Sequence, residues 1–524
     1  MLVLFAGSLI LCILVFCFIL FNLGWCASVS FLSLSSYSWL INFNFDIVSI
    51  GVLLMLGICF FYVSFYTSHY FSNDLLWLDL YKIIVLFVGV MSLLVSSGDF
   101  VSTLIFWEYL GVVSFFLILF YSNFLSLRSS IVTLVSSRFG DVCLFLLISL
   151  NYFLYNNWLP AVIYFFLIIL TKSASFPFIS WLLEAMRAPT PVSSLVHSST
   201  LVAAGVWFVM RYDILDYLSS YSLISFSVVL ILSIIITGLC GLFFLDLKKI
   251  IALSTCNNIC WCILYLIFGN VTLSLFQLLS HGVSKCILFM LIGDIMSGSG
   301  GSQASNCVYV STFYGNWNLF SVFIAVTGLA GVPFIGVFFT KHFLLSMMIG
   351  VENIIIVLMF SLCMWLSYLY SFRLCAIIFN FKSSSSFGVL FFFNSGAIVC
   401  GWLFINFYVV SVLDENVYLG IINSVGLVLF QILSVIIIYL SYESNIFSNW
   451  SSSLFGCDNL VEACYTSFYK WVNYVSLFFF RWDNNVFNFL TGLGLNSMNN
   501  IFNWLLINFL VFSIFGITLY VIFL

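Results

Sequence analysis

The chain has 524 residues, of which 64% are hydrophobic and 6% are charged, and its formal net charge is −4. Apolar runs of about twenty residues recur along nearly the whole chain, each long enough to cross ~30 Å of hydrocarbon as a helix. This pattern excludes a transmembrane barrel, whose strands would be alternating segments of ~10 residues. The weak net charge excludes nucleic acid as an expected partner. We predict an all-α polytopic membrane protein that sits in a lipid bilayer.

The first predicted span covers residues 1–22. No basic residue precedes Lys82, so this segment lacks the charged region of a secretory signal and the arginines of a transit peptide. We expect it to be retained as the first of about 15 or 16 transmembrane helices. The other predicted spans are 45–68, 77–97, 99–121, 129–151, 158–176, 191–211, 222–244, 249–268, 272–296, 311–330, 332–350, 352–374, 391–412, 421–440 and 502–523.

One long stretch, residues 441–500, is only weakly hydrophobic. It mixes Ser, Asn and scattered charges with three tryptophans, a composition typical of the membrane interface. Gly456, Gly492 and Gly494 argue against one unbroken helix over the whole stretch. The remaining linkers are too short for a soluble domain, so any domain outside the membrane must belong to another polypeptide.

Two features of the composition concern metal binding and origin. Most of the 16 cysteines fall inside predicted spans, where Cys behaves as a small hydrophobe, and the only tight group is Cys256, Cys260 and Cys262. We expect no metal centre. The chain has 63 Phe but only five Pro and four His, a skew expected from a coding strand rich in U and G. Such drift is commonest in small organellar genomes, which suggests an organelle-encoded protein.

Ionisable side chains inside the predicted spans are few enough to consider one by one. The candidates for a functional role are Glu108, Arg138, Asp141, Lys172, His197, His281, Lys285 and Lys341. A charged group in hydrocarbon costs on the order of 2.5–3.5 kcal/mol, so a chain that keeps several usually moves charge with them. A proton can pass between titratable groups that lie within hydrogen-bond reach of one another or of a shared water. The pattern therefore indicates proton transport.

Two prolines strengthen this hypothesis. Pro177 follows Lys172 by five residues, and Pro333 precedes Lys341 by eight. Proline removes a backbone donor and breaks or kinks a helix, and irregular backbone at membrane depth is tolerated only where protein or water covers it. Two lysines near two predicted breaks suggest a duplicated unit, as in inverted-repeat transporters.

Six stretches carry a resemblance to a known family. They are FWEYLGVVSF at 106–115, SRFGD at 137–141, WLLEAMRAPTPVSSLVHSSTLVAAGVWFVMR at 181–211, DLKKIIALST at 246–255, HGVSKCILFM at 281–290 and GVPFIGVFFTK at 331–341. Together they resemble the antiporter-like, proton-translocating membrane subunits of NADH-quinone oxidoreductase, respiratory complex I. SRFGD, the His281–Lys285 spacing and the long tail suit one group of these subunits, which ends in a lateral helix and a last transmembrane helix.

The resemblance implies an organisation in segments. We expect N-terminal transmembrane helices in 1–98, two inverted antiporter-like repeats with broken helices in 99–244 and 245–374, and further transmembrane helices in 375–440. A lateral amphipathic segment would occupy 441–500 and a C-terminal transmembrane helix 501–524. A plain interfacial anchor is the alternative for 441–500.

The resemblance also implies roles for individual residues. The proton pathway would consist of Glu108, Lys172, His197, His281, Lys285 and Lys341, supported by Arg138, Asp141, Pro177 and Pro333. Glu108 and Lys172 would form a pair whose separation tunes the proton affinity of the lysine. Arg138 and Asp141 would form a supporting ion pair. Lys248 would be structural, at a helix end.

No nucleotide, flavin or iron–sulfur fingerprint is present in the sequence. The resemblance implies that NADH, FMN, iron–sulfur clusters and ubiquinone are used by other subunits, with other membrane subunits as partners and the mitochondrial inner membrane as location. The enzymatic label, a proton-translocating NADH:ubiquinone reductase, would belong to the assembly.

Simpler explanations remain open for each assignment. Lys172 and Lys341 could be snorkelling lysines at span ends, and His281 could hydrogen-bond a nearby backbone group. A stand-alone cation/proton antiporter and an inert scaffold are the rival functions. The sequence also departs from the family where His342 follows Lys341, because an acidic residue is usual there, and at Arg187, where an acidic or small residue is often found.

Overall fold

The computed structural model describes residues 25–34, 37–71, 76–150, 159–212, 215, 218–311, 315–332, 337–348, 354–384, 421–442, 457–490 and 504–523. The predicted spans 1–22 and 391–412 lie outside these residues, and so does Pro333. The described chain forms two units, residues 1–455 and 456–524.

A β-hairpin precedes the first described helix. Its antiparallel strands are β1 (Trp25–Leu34) and β2 (Tyr37–Phe45). The hairpin was absent from the predicted all-helical architecture, although Ser28 and Ser30 alternate with apolar residues as in a strand, up to the register shift between Ser30 and Leu32. Both backbone and side chain of Asn42 donate to the Asp99 carboxylate at 3.0 Å, which fastens β2 to the start of a later helix.

Helices make up most of the first unit. In chain order they are α1 (Ile47–Tyr70), α2 (Leu76–Ser96), α3 (Phe100–Leu119), α4 (Phe124–Ser149), α5 (Leu159–Lys172), α6 (Ser180–Ala185), α7 (Thr190–Tyr212), α8 (Ser220–Phe243), α9 (Leu247–Ile267), α10 (Val271–Gly298), α11 (Gly315–Ala330), α12 (Phe338–Met348), α13 (Ile354–Phe379) and α14 (Ile421–Ser441). Two short parallel strands, β3 (Tyr309–Ser311) and β4 (Lys382–Ser384), pair outside the helices. Every predicted span within the described residues of this unit contains a helix.

Ten helices of the described chain are long and apolar enough to cross a membrane. Three of them, α7, α9 and α10, are almost wholly buried, with 100%, 94% and 94% of their central residues inside the protein. Six of the others bury between 33% and 56% of their central residues, and α14 buries 22%. A helix that is apolar all round and buried all round belongs to the centre of a large bundle, so α7, α9 and α10 form the core.

Both predicted helix breaks are present. Helix α5 ends at Lys172, and the chain runs irregularly past Pro177 before α6 begins at Ser180. Helix α11 ends at Ala330, where Gly331 adopts a left-handed φ of +82°, and α12 begins at Phe338. Glycine suits this position because a side chain there would be strained. The helices next to the breaks are shorter than the predicted spans because the breaks interrupt them.

The described residues of the second unit form two helices. They are α15 (Cys457–Leu490), with 34 residues, and α16 (Trp504–Phe523). At 1.5 Å per residue α15 is about 51 Å long. It is confined between Gly456 and Gly492, so the helix covers only part of the predicted 441–500 segment. The assignment of this segment as a lateral element, like the boundaries of the two repeats, stays a prediction.

Candidate functional site

Lys172 is the last residue of α5 and lies wholly inside the protein. Its side chain is 0% exposed, and its Nζ is 3.7 Å from Oδ1 of Asp141 on α4, whose side chain is 2% exposed. Nζ also lies 5.0 Å from the centroid of the Trp107 ring, close enough for a cation–π contact. The snorkelling alternative is therefore wrong for Lys172, because a snorkelling ammonium would reach solvent.

Asp141 connects Lys172 to a second ion pair. Arg138 lies one turn earlier on α4, with Nη1 3.4 Å from Oδ2 of Asp141, and the same Nη1 donates to the Glu108 carboxylate on α3. The predicted Arg138–Asp141 pair is thus present. The predicted pairing of Glu108 with Lys172 is replaced by a chain of four charges, in which the carboxylate beside Lys172 is Asp141 and Glu108 faces Arg138. We call Glu108, Arg138, Asp141 and Lys172 the four-charge cluster.

A cavity adjoins the cluster and brings His197 close to Lys172. Its volume is about 10 Å³, room for about one water molecule, and Lys172, Trp181, His197, Ser137 and Thr133 are among its lining residues. Polar lining groups give a water molecule in such a space the partners that it needs. The cavity therefore offers a route between the lysine and the histidine that no direct contact provides.

His197 sits in an unusual stretch of backbone. Residues Ser193–Thr200 of α7 form a π-helix, flanked by α-helical turns. Such π-helical segments are rare and occur frequently at functional sites. The only signals for the π-helix in the sequence are Pro189 and Pro191 before it and the small polar residues within it. Lys248 on α9 is buried, and its Nζ donates to the Ala188 carbonyl at 3.3 Å. Its positive charge lies close enough to the His197 ring to repel a second positive charge there.

His281 and Lys285 lie one turn apart on central helix α10, both buried. The Lys285 Nζ donates to the Ser254 hydroxyl and lies 3.4 Å from the Ile251 carbonyl, both on α9. Neither ring nitrogen of His281 has a hydrogen-bond partner within the described part of the chain. The alternative of a histidine held by a nearby backbone group is therefore wrong for His281. Buried polar atoms are nearly always satisfied, so this imidazole suits a water-mediated contact.

Lys341 lies at the second break and is also buried. Its Nζ donates to the Ala330 carbonyl at 2.7 Å and to the Ser367 hydroxyl at 2.8 Å, and it lies 4.3 Å from the centroid of the Tyr368 ring. Ala330 is the last residue of α11, where the carbonyls and the helix dipole attract a cation. The break therefore supplies the binding site for the lysine, and the snorkelling alternative is wrong for Lys341 as well.

The ionisable residues thus fall into three places joined by the core helices. Lys172 of the four-charge cluster and His197 border one cavity, His281 and Lys285 occupy the middle of α10, and Lys341 lies at the break between α11 and α12. Helix α10 packs against the π-helical segment and against α12. Sequence reasoning missed the neutral partners Trp107, Ser254 and Ser367, and it underrated Lys248, which is buried beside the pathway.

The fold is a largely helical membrane bundle. It holds buried lysines at two helix breaks, with histidines and carboxylates between them. These features define an antiporter-like membrane protein. A family model described as NADH:quinone oxidoreductase/Mrp antiporter, transmembrane, matches residues 97–367, more than half of the chain. The chain belongs to this family.

Curated relatives agree with the family. The NADH-ubiquinone oxidoreductase chain 5 of Anopheles gambiae is 34% identical over 386 residues, which are 70% of this chain and 66% of the relative. That of Aedes aegypti is 35% identical over 382 residues, 68% of this chain and 64% of the relative. That of Anopheles arabiensis is 34% identical over 345 residues, 63% of this chain and 89% of the relative. The chain spans just under two thirds of the first two. Chain 5 is the group expected from SRFGD and the His281–Lys285 spacing.

Two solved structures share the fold. One is the Mrp complex from Dietzia sp. DQ12-45-1b, with a TM-score of 0.65 and 18% identity, covering 89% of this chain and 56% of that one. The other is a membrane-bound sulfane sulfur reductase, an archaeal respiratory membrane complex, with a TM-score of 0.59 and 17% identity, covering 76% and 84%. At these identities the likeness concerns the fold alone.

Proposed function

We propose that this chain is a proton-translocating membrane subunit of a respiratory NADH:ubiquinone oxidoreductase. The observation that carries the proposal is the fully buried ion pair between Lys172 and Asp141 at a helix break. A buried lysine beside a carboxylate can exchange a proton when the charges around it change. Family membership and the names of the curated relatives support the same function.

The path begins at the four-charge cluster and proceeds through the core. A proton held by Lys172 passes by way of the adjoining cavity to His197, and then along α10 by way of His281 and Lys285 towards Lys341. Each transfer requires hydrogen-bond reach or an intervening water. Moving a proton against the membrane potential costs about 2.3 kcal/mol per 100 mV. That free energy comes from redox chemistry in partner subunits, which use NADH, FMN, iron–sulfur clusters and ubiquinone.

Location and assembly follow from the same proposal. The partners are other membrane subunits of the complex, and the membrane is the mitochondrial inner membrane. The Phe-rich, Pro-poor composition supports an organelle-encoded gene. A native gel of gently solubilised membranes, stained for NADH dehydrogenase activity, tests assembly directly. Co-migration of the chain with activity in one very large band is expected, whereas a small inactive particle with cation-dependent proton exchange would identify a stand-alone antiporter.

Pumping tests the role of the residues. In vesicles that contain the assembled complex, Lys172→Ala and Glu108→Gln are each expected to lower the number of protons moved per NADH oxidised. Lys82→Ala is the matched control, because Lys82 is a lysine on α2 whose side chain is 75% exposed and pairs only with neighbouring Asp79. Wild-type pumping by a fully assembled Lys172→Ala complex would contradict the proposal.

A further inference from the structure

The contact between Gly140 and Thr171 lies directly beside the ion pair that carries the proposed function. Gly140 precedes Asp141 on α4, and Thr171 precedes Lys172 on α5. The two helices therefore touch at Gly140 and Thr171 and form an ion pair at the next residue of each, Asp141 and Lys172. Whatever sets the separation at the first pair also sets the separation at the second, since helices move as rigid elements.

There is no room for a side chain at Gly140. A Cβ atom built on Gly140 would lie 2.2 Å from Oγ1 and 3.3 Å from Cβ of Thr171, and 3.8 Å from Cα of Ile168. Carbon and oxygen do not approach to such a distance without a bond, so any side chain at position 140 requires either helix or Thr171 to move. Only glycine fits the observed approach of α4 to α5.

Thr171 cannot yield cheaply. Its hydroxyl lies 2.9 Å from the Leu167 carbonyl and 3.0 Å from the Ile168 carbonyl, so rotation would break a hydrogen bond within α5. Its β-branched side chain also has few χ1 alternatives in a helix. Thr171 is buried, and the Trp181 indole donates to its carbonyl at 3.0 Å, which fixes the residue from its other side.

We propose that Gly140 is a positioning residue, whose missing side chain lets α4 approach Thr171 closely enough for Asp141 to reach Lys172. The inference rests on the proposed function for its pumping consequence but not for its geometry. The Asp141–Lys172 separation of 3.7 Å lies near the limit of ~4 Å for an ion pair. A displacement of a few tenths of an ångström at Gly140 is therefore enough to weaken the pair.

The test combines Gly140→Ala with a second change that removes the obstruction. Gly140→Ala in the assembled complex is expected to abolish proton pumping per NADH, and the same loss is expected for Asp141→Asn. Thr171→Ala deletes Oγ1, and the nearest remaining obstruction, the β-carbon at 3.3 Å, needs only a small adjustment. The double variant Gly140→Ala with Thr171→Ala is therefore expected to recover pumping. Such a recovery would show that the contact with Thr171, and not the lower flexibility of alanine, causes the loss.

Controls separate the contact from general effects of alanine. Gly89→Ala on α2 is the matched control, because nothing lies within 4 Å of its added Cβ, and it should pump as wild type. Thr171→Ala alone should keep the Asp141–Lys172 separation of 3.7 Å, because it adds no atom to the contact between α4 and α5. If Gly140→Ala fails to assemble, assembly and pumping by the double variant support the proposal, and failure of both variants to assemble overturns it.

A direct measurement of geometry separates this inference from the proposed function. In a cryo-electron microscopy structure of the Gly140→Ala complex, the Asp141–Lys172 separation is expected to exceed about 4 Å. An unchanged separation overturns the positioning role, whatever the pumping. If Lys172→Ala itself pumps normally, the proposed function fails, and the measured separation alone then decides the role of Gly140.

Discussion

The buried lysines at the two helix breaks are stabilised by different partners. Lys172 lies in the four-charge cluster, with a carboxylate at 3.7 Å and an arginine behind it. Within the described residues, Lys341 has no carboxylate at ion-pair distance and bonds instead to the carbonyl that ends α11 and to a serine hydroxyl. Both lie against an aromatic ring, at 5.0 and 4.3 Å from its centroid.

This difference separates two ways of keeping a cation inside a membrane protein. In the four-charge cluster two acids balance two bases, so a proton that leaves Lys172 leaves an excess negative charge behind. At the second break the cation depends on a helix terminus and neutral oxygens, whose attraction does not change when the proton leaves. The proton affinity of Lys172 therefore depends on the charges of its neighbours. At Lys341 the electrostatic attraction from the neutral partners stays constant.

The largest effect is expected when the carboxylate of the four-charge cluster is removed. Asp141→Asn leaves Arg138 and Lys172 with Glu108 as their only acid in the cluster. Breaking a buried ion pair by removing one partner costs about 3–5 kcal/mol. We expect loss of pumping together with a lower melting temperature of the assembled complex, measured by NADH-driven acidification and by thermal inactivation.

Asp79→Asn provides the control for this experiment. Asp79 also pairs with a lysine, but its side chain is 67% exposed, and exposed ion pairs contribute little to stability. The control should keep both pumping and melting temperature. An Asp141→Asn complex with wild-type pumping would show that the Lys172 charge needs no carboxylate, and the two breaks would then work alike.

A second, smaller effect should distinguish the two lysines from each other. Lys172→Met leaves Asp141 buried with Arg138 as its partner at 3.4 Å, whereas Lys341→Met leaves only neutral acceptors behind. A buried carboxylate that loses one of its two basic partners costs more than an unsatisfied carbonyl, so Lys172→Met should destabilise the complex by about 2 kcal/mol more than Lys341→Met. Both variants should lose pumping.

Melting temperatures of the two methionine variants, measured in the same preparation, check this order. Arg138 decides the outcome, because a guanidinium that moves closer to Asp141 would reduce the cost of losing Lys172. Equal destabilisation by the two variants would mean that the cluster compensates fully. Greater destabilisation by Lys341→Met would reverse the comparison.

Sequence reasoning reached the helices, the ionisable residues and the Arg138–Asp141 pair, but not the pairing of Lys172 with Asp141. Hydropathy predicts the membrane spans because a run of about twenty apolar residues is long enough to cross the bilayer as a helix. Pro177 indicated the helix break that follows Lys172. Pairing depends on how α3, α4 and α5 approach one another, and that approach depends on Gly140, whose role cannot be read from one sequence. The family resemblance pairs Glu108 with Lys172, whereas in the structure Asp141 is the carboxylate beside Lys172 and Glu108 pairs with Arg138.

The β-hairpin and the neutral lysine partners show the same limit. Serine alternation in CASVSFLSL was visible in the sequence, yet it competed with the strong helical signal of the whole chain. Ser254 and Ser367 resemble the many other serines that bond their own helix, and only the packing of neighbouring helices shows which serines face a lysine.

The smallest effect is expected at the second break, where Ser367→Ala removes one of two neutral acceptors from Lys341. A hydrogen bond to a charged group contributes about 1.5–3 kcal/mol, and the Ala330 carbonyl at 2.7 Å remains. We expect a partial loss of pumping and a smaller fall in melting temperature than in Lys341→Met, because Lys341 keeps the Ala330 carbonyl although the bond of Ser367 to the Met364 carbonyl is also lost. Proton pumping per NADH and thermal inactivation measure the two effects.

Ser361→Ala, on the same helix, is the matched control. Its hydroxyl bonds only the Leu358 carbonyl at an exposed position on α13, so its loss should affect neither pumping nor stability. If Ser367→Ala pumps as well as Ser361→Ala, the carbonyl at the end of α11 is sufficient to hold Lys341. The second break would then bind its cation through backbone alone, whereas the first break requires a carboxylate side chain.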